Sequence, residues 1–381
     1  MKKIIILFFT IITVLISSVS GVAVAESGAE DVAKSEIMMD YYSGQIIHEK
    51  NADQRLPIAS MVKIMTALIA FERIDDGALA LDQRVTVSET AAGMGGSQMF
   101  LESGDEYSIS DLLKGIIVVS ANDASVQIAE TIAGSEAEFV KIMNDKAKSL
   151  GMNNTVFVNA TGLPESGQYS TARDVAVMLK ELSSHEKYYD YSKIWMENYE
   201  HPDGRITEFV NTNKLVRFNK DCEGGKTGYT SEAKFCLATT ARRADTRLIC
   251  VVIGADTSKM RFQRVSKLLN SGFSRFVNSK ILSKEVKIDR QLNVIGGKKK
   301  SVSIAPERDV CIFREISGPA NFDIEYEFNK NLRAPIKVGD VVGVARVKQG
   351  GVETKSVNLV AAENVAEKSY LDTVNEMLKG W

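Results

Sequence analysis

Histidine is scarce in this sequence of 381 residues, which contains only His48, His185 and His201. No two of them have the H-E-x-x-H spacing of a zinc hydrolase, so metal-assisted hydrolysis has no support. A Ser-His-Asp triad stays open, because the fold and not the spacing brings its members together. We expect neither a metal ion nor a cofactor.

Cysteine and net charge are low as well. The chain has four cysteines and no C-x-x-C spacing, and Cys236 and Cys250 lie in apolar, strand-like stretches, which favours buried thiols although an even number permits disulfides. The formal net charge is −2, and no long basic stripe is present, so nucleic acid is not an expected partner. The length is sufficient for two domains.

A long uncharged run occurs at the N-terminus, where Lys2 and Lys3 precede residues 4–25. The run ends in Ala23-Val24-Ala25, a typical signal-peptidase site, so residues 1–25 are predicted to be a signal peptide and the protein to be exported. The alternative is an uncleaved anchor, because the run is long enough to span a bilayer.

Three short motifs follow in a fixed order: Ser60-Met61-Val62-Lys63, Ser120-Ala121-Asn122 and Lys226-Thr227-Gly228. Each one alone is a weak signal. Together, behind an export signal, they indicate a serine acyl-transferase site that uses lysine where other serine enzymes use histidine.

Ser60 and Lys63 are three residues apart, so a helix would place them on one face. An apolar repeat predicts that helix, with Ser60 near its N-terminus: Met61, Ile64, Met65, Leu68 and Ile69. Lysine is a poor base at its ordinary pKa of about 10.4, but burial or a neighbouring cation such as Lys226 would favour its neutral form. The alternative is a capping serine beside a solvated lysine.

The other two motifs have structural alternatives of their own. Ser120 and Asn122 lie between two predicted helices, where they could relay a proton or simply cap a helix. Lys226 and Thr227 precede a predicted strand pair and could hold a substrate carboxylate, with glycines allowing close backbone approach. The alternative is a glycine-rich turn.

Other stretches of residues 35–276 strengthen the pattern, namely Asp40-Tyr41-Tyr42-Ser43-Gly44, Arg55-Leu56-Pro57-Ile58-Ala59-Ser60, Gly96-Ser97-Gln98-Met99-Phe100-Leu101 and Thr161-Gly162-Leu163-Pro164. With the three motifs, they resemble the low-molecular-mass D-alanyl-D-alanine carboxypeptidases, penicillin-binding proteins of peptidase family S11. The resemblance implies that peptidoglycan stem peptides are substrates and that β-lactams are covalent inhibitors.

The resemblance also implies a role for each motif residue. Ser60 would be acylated, Lys63 would be its base, and Ser120 and Asn122 would assist proton transfer and hold the substrate. The N–H groups of Ser60 and Tyr229 would form the oxyanion hole. The substrate-binding residues would be Lys226, Thr227, Gly228, Tyr229 and Arg261. A second arginine, which some members carry upstream of K-T-G, has no counterpart that we can place.

The segment order predicts an α+β fold, in which an antiparallel sheet is flanked by helices and a small all-β domain follows. We expect a peptidase domain over residues 26–280, a β-domain over 285–362 and an amphipathic helix over 365–381. That helix either binds a membrane surface or docks on the β-domain. Docking stays open because membrane-surface helices usually have a basic polar face, and the polar face of this helix is not basic.

Two other functions stay open. A class A-like β-lactamase shares the three motifs but needs a loop glutamate for deacylation, and Glu165 is the only nearby candidate. A non-catalytic, penicillin-sensing or wall-binding protein would keep the fold without turnover.

Overall fold

The structure, a computed structural model, describes residues 32–372 and 374. The predicted signal peptide and most of the predicted C-terminal helix lie outside the described residues. The predicted start of that helix at residue 365 is wrong, because Val365 is buried and pairs with Ile336, and Glu367 pairs with Gly297. The first helical residue is Tyr370. Within the described part of the chain, no helix is both long and apolar enough to cross a membrane.

Helices fill the middle of the chain, as the sequence predicted. A 3-10 turn (Ala59–Val62) leads into the first helix, and a π-helical turn (Gly115–Val119) precedes the fourth. The α-helices are α1 (Lys63–Asp75), α2 (Glu89–Ala92), α3 (Ile109–Lys114), α4 (Asn122–Ala133), α5 (Glu136–Ser149), α6 (Ala172–Leu182), α7 (Tyr188–Ser192), α8 (Leu215–Phe218) and α9 (Ser258–Arg275).

An antiparallel sheet joins the two ends of this helical block. Its strand order is β2-β1-β9-β8-β7, and two small hairpins, β3-β4 and β5-β6, lie apart from it. These strands are β1 (Ser35–Asp40), β2 (Ile46–Lys50), β3 (Arg84–Thr86), β4 (Glu106–Ser108), β5 (Met196–Glu200), β6 (Ile206–Val210), β7 (Cys222–Thr230), β8 (Lys234–Arg243) and β9 (Thr246–Ala255).

Both faces of the sheet are covered, which explains the nearly continuous apolar run of β9. Ile249, Val251 and Ile253 face the larger core, which contains α1 and α6. Cys250 and Val252 face a second core, which α9 covers. Helix α1 is central: Thr66 and Ala70 are buried as well as the predicted apolar stripe, so it is enclosed on all sides over most of its length.

The C-terminal part is all β, as predicted, with its own apolar core. Six strands form a sheet in the order β14-β16-β17-β12-β11-β15, and β10 pairs with β13. The strands are β10 (Phe276–Leu282), β11 (Gln291–Ile295), β12 (Ser301–Pro306), β13 (Val310–Glu315), β14 (Asp323–Phe328), β15 (Leu332–Arg333), β16 (Val341–Gln349) and β17 (Val352–Ala361).

The end of α9 differs from what its apolar repeat predicts, because the spacing of Val265, Leu268, Leu269 and Phe273 indicates a helix from about Phe262 to Val277. The helix ends at Arg275, and Phe276 begins β10. The ring of Phe276 stacks on Phe313 of β13 with centroids 5.3 Å apart, so tertiary packing competes with the helical repeat. The four cysteines are free thiols, and Cys222, Cys236 and Cys250 are buried, as expected.

Candidate active site

Ser60 lies in the 3-10 turn that leads into α1, and Lys63 is the first residue of the helix. The two are therefore one turn apart, as predicted, with Lys63 Nζ 3.3 Å from Ser60 Oγ. The turn starts at Ala59, whose φ of 48° is in the left-handed region. Such strain in a residue other than glycine is typical of functional sites.

The Lys63 amine has two further oxygen neighbours. Its Nζ lies 2.6 Å from Asn122 Oδ1 and 2.5 Å from the carbonyl oxygen of Thr161. Both oxygens can only accept hydrogen bonds, so they take the two N–H groups of a neutral amine. The remaining lone pair is then left for the hydroxyl of Ser60.

The environment favours that neutral form. Lys63 is 1% exposed. Burial, followed by the charge of Lys226, holds the pKa of Lys63 well below its ordinary value, against the opposing charge of Asp123. Burial and the charge of Arg261 also lower the pKa of Lys226, to about 7. The charge of Lys226 thus acts on Lys63 in the direction that the sequence predicted, and the role of Lys63 as base stays a prediction.

The second motif lies in the tight connection that was predicted between helices. Ser120 ends the π-helical turn with φ 67° and ψ 34°, and Asn122 begins α4. Asn122 Nδ2 donates to the carbonyl of Gly95 at 2.6 Å. This contact fixes the amide, so that its oxygen faces Lys63.

Asp123, which the sequence analysis did not select, shapes one wall of the site. Its carboxylate accepts hydrogen bonds from the backbone N–H of Met99 and of Leu101, all at 3.1 Å, and it is 1% exposed. Between them Phe100 is held with φ 65° and is exposed. The position of this acid directly after the S-x-N motif was a signal available in the sequence.

The third motif lies inside a strand, β7, whereas the sequence placed it just before the strand pair. The alternative of a glycine-rich turn is therefore wrong. β7 pairs with β8 on one side, and among the described strands none pairs with its other side. A Cβ on Gly228 would be 2.7 Å from the carbonyl oxygen of Ile58 and 3.3 Å from Ser60 N. Glycine at this position therefore lets the strand lie against the Ser60 turn.

Thr227 and Thr212 form a hydroxyl pair beside Lys226. Thr227 Oγ1 donates to Thr212 Oγ1 at 2.8 Å, and the N–H of Thr212 donates to the carbonyl of Val118 at 3.1 Å. Thr212 lies upstream of K-T-G, in the segment where some family members carry a second arginine. The structure thus places a threonine hydroxyl next to Thr227, a contact that motif spacing could not reveal.

Arg261 lies behind β7. Its Nη1 donates to the carbonyls of Gly228 at 3.3 Å and Cys236 at 3.0 Å, and the residue is 6% exposed. Burial lowers its pKa to about 10. The role of Arg261 as a carboxylate ligand stays a prediction. Its hydrogen bonds directly support a second role, in which it holds β7 against β8. Tyr229 is exposed, and its ring lies 4.4 Å from that of Phe235.

Glu165, the candidate for a deacylating carboxylate, is exposed in a loop next to Ala59. Its Oε2 accepts a hydrogen bond from Asn159 Nδ2 at 3.1 Å. The site as a whole brings a hydroxyl and two buried lysines of lowered pKa to one strand edge. This combination suits acyl transfer to serine from a substrate that carries a carboxylate.

Comparisons with known proteins agree with this chemistry. Residues 22–257 match the family Peptidase S11, D-alanyl-D-alanine carboxypeptidase. Residues 276–367 match the C-terminal domain of penicillin-binding protein 5. The chain is 37% identical to the D-alanyl-D-alanine carboxypeptidase DacF of Bacillus subtilis, over 92% of this chain and 90% of that protein. It is 35% identical to DacC of Escherichia coli, over 90% and 86%.

Solved structures are similar over all or part of this length. Penicillin-binding protein 5 of Haemophilus influenzae aligns with a TM-score of 0.69 and 32% identity, covering 90% of this chain and 99% of that one. Penicillin-binding protein D2 of Listeria monocytogenes, in its ampicillin-bound form, aligns with a TM-score of 0.57 and 30% identity, covering 64% and 97%.

Proposed function

Because the chain belongs to the peptidase S11 family of D-alanyl-D-alanine carboxypeptidases, we propose that it removes the terminal D-alanine from peptidoglycan stem pentapeptides through an acyl-enzyme on Ser60. The observation that carries this proposal is the position of Lys63 Nζ, between two obligate acceptors and the Ser60 hydroxyl.

In the acylation step, Lys63 accepts the proton of Ser60 Oγ while this oxygen attacks the carbonyl carbon of the penultimate D-alanine. The N–H groups of Ser60 and Tyr229 stabilise the developing oxyanion. The C–N bond then breaks, and the terminal D-alanine leaves with the proton that Lys63 had accepted. Ser120, whose hydroxyl lies in the same tight connection as Asn122, assists this transfer.

Binding of the substrate carboxylate falls to Lys226 and Thr227, next to Thr212, and Arg261 is assigned there from the family resemblance. The substrate backbone lies along the unpaired edge of β7, as an added strand. In the second step water adds to the ester carbon, and the C–Oγ bond breaks. This step returns the proton to Ser60 and releases the shortened peptide. β-Lactams acylate Ser60 in the same way.

The test measures two quantities in one preparation of the mature protein: release of free D-alanine from a D-Ala-D-Ala peptide, and the intact mass after exposure to penicillin. We expect D-alanine release that penicillin blocks, together with a single adduct on the peptide containing Ser60. Ser60→Ala should abolish both. An adduct that persists in Ser60→Ala would disprove the assignment.

Other outcomes identify the alternatives. A stable adduct without D-alanine release would indicate a penicillin-sensing protein, and fast release of hydrolysed penicillin would indicate a β-lactamase. Ser88→Ala is a suitable control, because Ser88 caps α2 and lies outside the three motifs.

The place of action that fits this substrate is the outer side of the cytoplasmic membrane. Residues 1–25 support export, and the sequence of residues 365–381 has an apolar stripe suited to a membrane surface: Tyr370, Leu371, Val374, Met377, Leu378 and Trp381. Tyr370 and Leu371 are exposed. Deleting residues 370–381, which keeps the pairing of Val365 and Glu367 with the β-domain, should release the protein from lipid vesicles without loss of peptide cleavage. A full-length protein that fails to bind vesicles would instead support docking on the β-domain.

A further inference from the structure

A groove of about 480 Å³ opens beside the Ser60 turn. Its walls are the turn residues Pro57, Ile58 and Ala59, the loop 162–168, and Thr230 with Glu232 at the end of β7. The charged side chains that line it are Glu165 and Glu232, and no lysine or arginine does so among the described residues. The groove is therefore open, adjacent to the nucleophile and negative.

The loop wall is held in place from behind. Gln168 Oε1 accepts hydrogen bonds from the N–H groups of Val158 and Asn159, at 3.0 and 3.2 Å. Asn159 Oδ1 accepts from Gly162 N at 2.8 Å, and its Nδ2 donates to Glu165 Oε2 at 3.1 Å. The loop is thus braced, and Asn159 holds one oxygen of the Glu165 carboxylate, which lowers the entropic cost of recognition.

The direction of β7 places this groove along a bound peptide. Lys226 and Thr227 take the terminal carboxylate, and Gly228 lies beside Ser60. An extended chain rises by about 3.3 Å per residue. The substrate residue two positions before the terminal carboxylate therefore lies about 7 Å further along β7, beside Tyr229 and Thr230. The residue that precedes the D-alanyl pair therefore lies at the mouth of the groove.

We propose that the groove receives the side chain of that preceding residue, and that Glu165 and Glu232 select a side chain ending in a free amine. This inference rests on the carboxypeptidase function proposed above. An ammonium group in the groove is attracted by the charge of both carboxylates, whereas a neutral side chain gains nothing and an acidic one is repelled. Both carboxylates are exposed, so the selection is moderate and sensitive to salt.

The experiment compares kcat/KM for release of D-alanine from three soluble peptides of the form acyl-Xaa-D-Ala-D-Ala. Xaa is lysine with a free side-chain amine, lysine with an acetylated side-chain amine, or glutamate. We expect the free amine to be preferred over the acetylated form by about tenfold and over glutamate by more. Equal rates for the free and acetylated forms would overturn the proposal.

The double variant Glu165→Gln/Glu232→Gln should reduce this preference to within about twofold. Glu208→Gln, which changes an exposed glutamate on β6, should retain it. The acetylated peptide is the internal reference, because a folding defect lowers turnover of both peptides. A preference that survives the double variant would overturn the proposal.

If the double variant turns over neither peptide, the proposal is tested on the protein without substitutions. The ratio of kcat/KM for the free-amine and acetylated peptides should fall as NaCl rises from about 0.05 to 1 M. A ratio that does not change with salt would overturn the proposal. If the carboxypeptidase function itself is wrong, the result differs: none of the three peptides releases D-alanine, and penicillin leaves no adduct on Ser60.

Discussion

Gly162 lies against Ala59 so closely that a Cβ on Gly162 would be 2.1 Å from the carbonyl oxygen of Ala59 and 2.9 Å from Ser60 N. The φ of Gly162 is +81°, which favours glycine independently of the contact. The loop that supplies the Thr161 carbonyl to Lys63 is thereby pressed onto the nucleophile turn, and the two are positioned together.

Gly162→Ala should therefore displace the Ser60 turn and lower the rate of acylation by penicillin by about two orders of magnitude or more. Gly151→Ala is the matched control, since Gly151 has a φ of +74° and nothing within 4 Å of the added Cβ. The control should lose only about 1 kcal/mol of unfolding free energy and keep its acylation rate. Equal acylation rates in both variants would contradict the role of the close contact.

Lys63→Arg should place a permanent positive charge near Ser60 and remove the base, because a guanidinium does not deprotonate at neutral pH. We expect the acylation rate to fall by about 10²- to 10⁴-fold. Lys141→Arg, on the exposed surface of α5, should be unchanged. Circular dichroism verifies the fold of both variants. A nearly normal rate in Lys63→Arg would exclude this lysine as the base.

The lowered pKa values predict the pH dependence of kcat/KM. Acylation needs neutral Lys63, so the rate rises with pH through the pKa of Lys63, which lies well below 10.5. Carboxylate binding needs charged Lys226, so the rate falls above about pH 7. Lys226→Arg should remove this alkaline limb, because the guanidinium stays charged. An alkaline limb unchanged in this variant would contradict the assignment.

Asp123→Asn tests two roles of Asp123, its charge effect on Lys63 and its hydrogen bonds to residues 99–101. The Asp123 charge raises the pKa of Lys63, so its removal should move the acidic limb of the acylation rate to lower pH. An amide has one acceptor oxygen where the carboxylate has two, so the N–H groups of Met99 and Leu101 should exchange faster with solvent. Asp145→Asn, on an exposed surface, serves as the control. An acidic limb that stays in place would contradict the electrostatic link.

Lys226→Met should abolish carboxylate binding but stabilise the protein. Burial places the folded-state pKa of Lys226 at about 7, below the ordinary value of 10.5. Between these pH values the unfolded chain binds the additional proton, so the destabilisation due to Lys226 is greatest below pH 7 and disappears towards pH 10.5. At pH 6 we expect a gain of about 2–4 kcal/mol by urea unfolding, and less as the pH rises. A loss of stability at pH 6 would contradict the sign.

Much of the fold follows from local pattern. The apolar repeat after Ser60 predicted a buried helix, and the alternation after residue 286 predicted a β-rich end. The end of α9 could not be predicted, because Phe276 continues the helical repeat and only its stacking on Phe313 selects a strand. The β5–β6 hairpin was also missed, since each strand buries a single residue, Tyr199 or Phe209, which is too little to give a clear alternation.

For the active site, the sequence by itself determined which side chains are available: Ser60, Lys63, Ser120, Asn122, Lys226 and Thr227 were all selected from motif spacing. Tertiary structure alone decided how Lys63 is arranged, because Asn122 and Thr161 approach it from distant parts of the chain. Tertiary structure also decided three other contacts: Thr212 with Thr227, Asp123 with the N–H groups of Met99 and Leu101, and Arg261 with the carbonyl of Gly228. Spacing fixes neighbours along one helix or strand, whereas burial and long-range contacts set the pKa of a lysine and the direction of its lone pair.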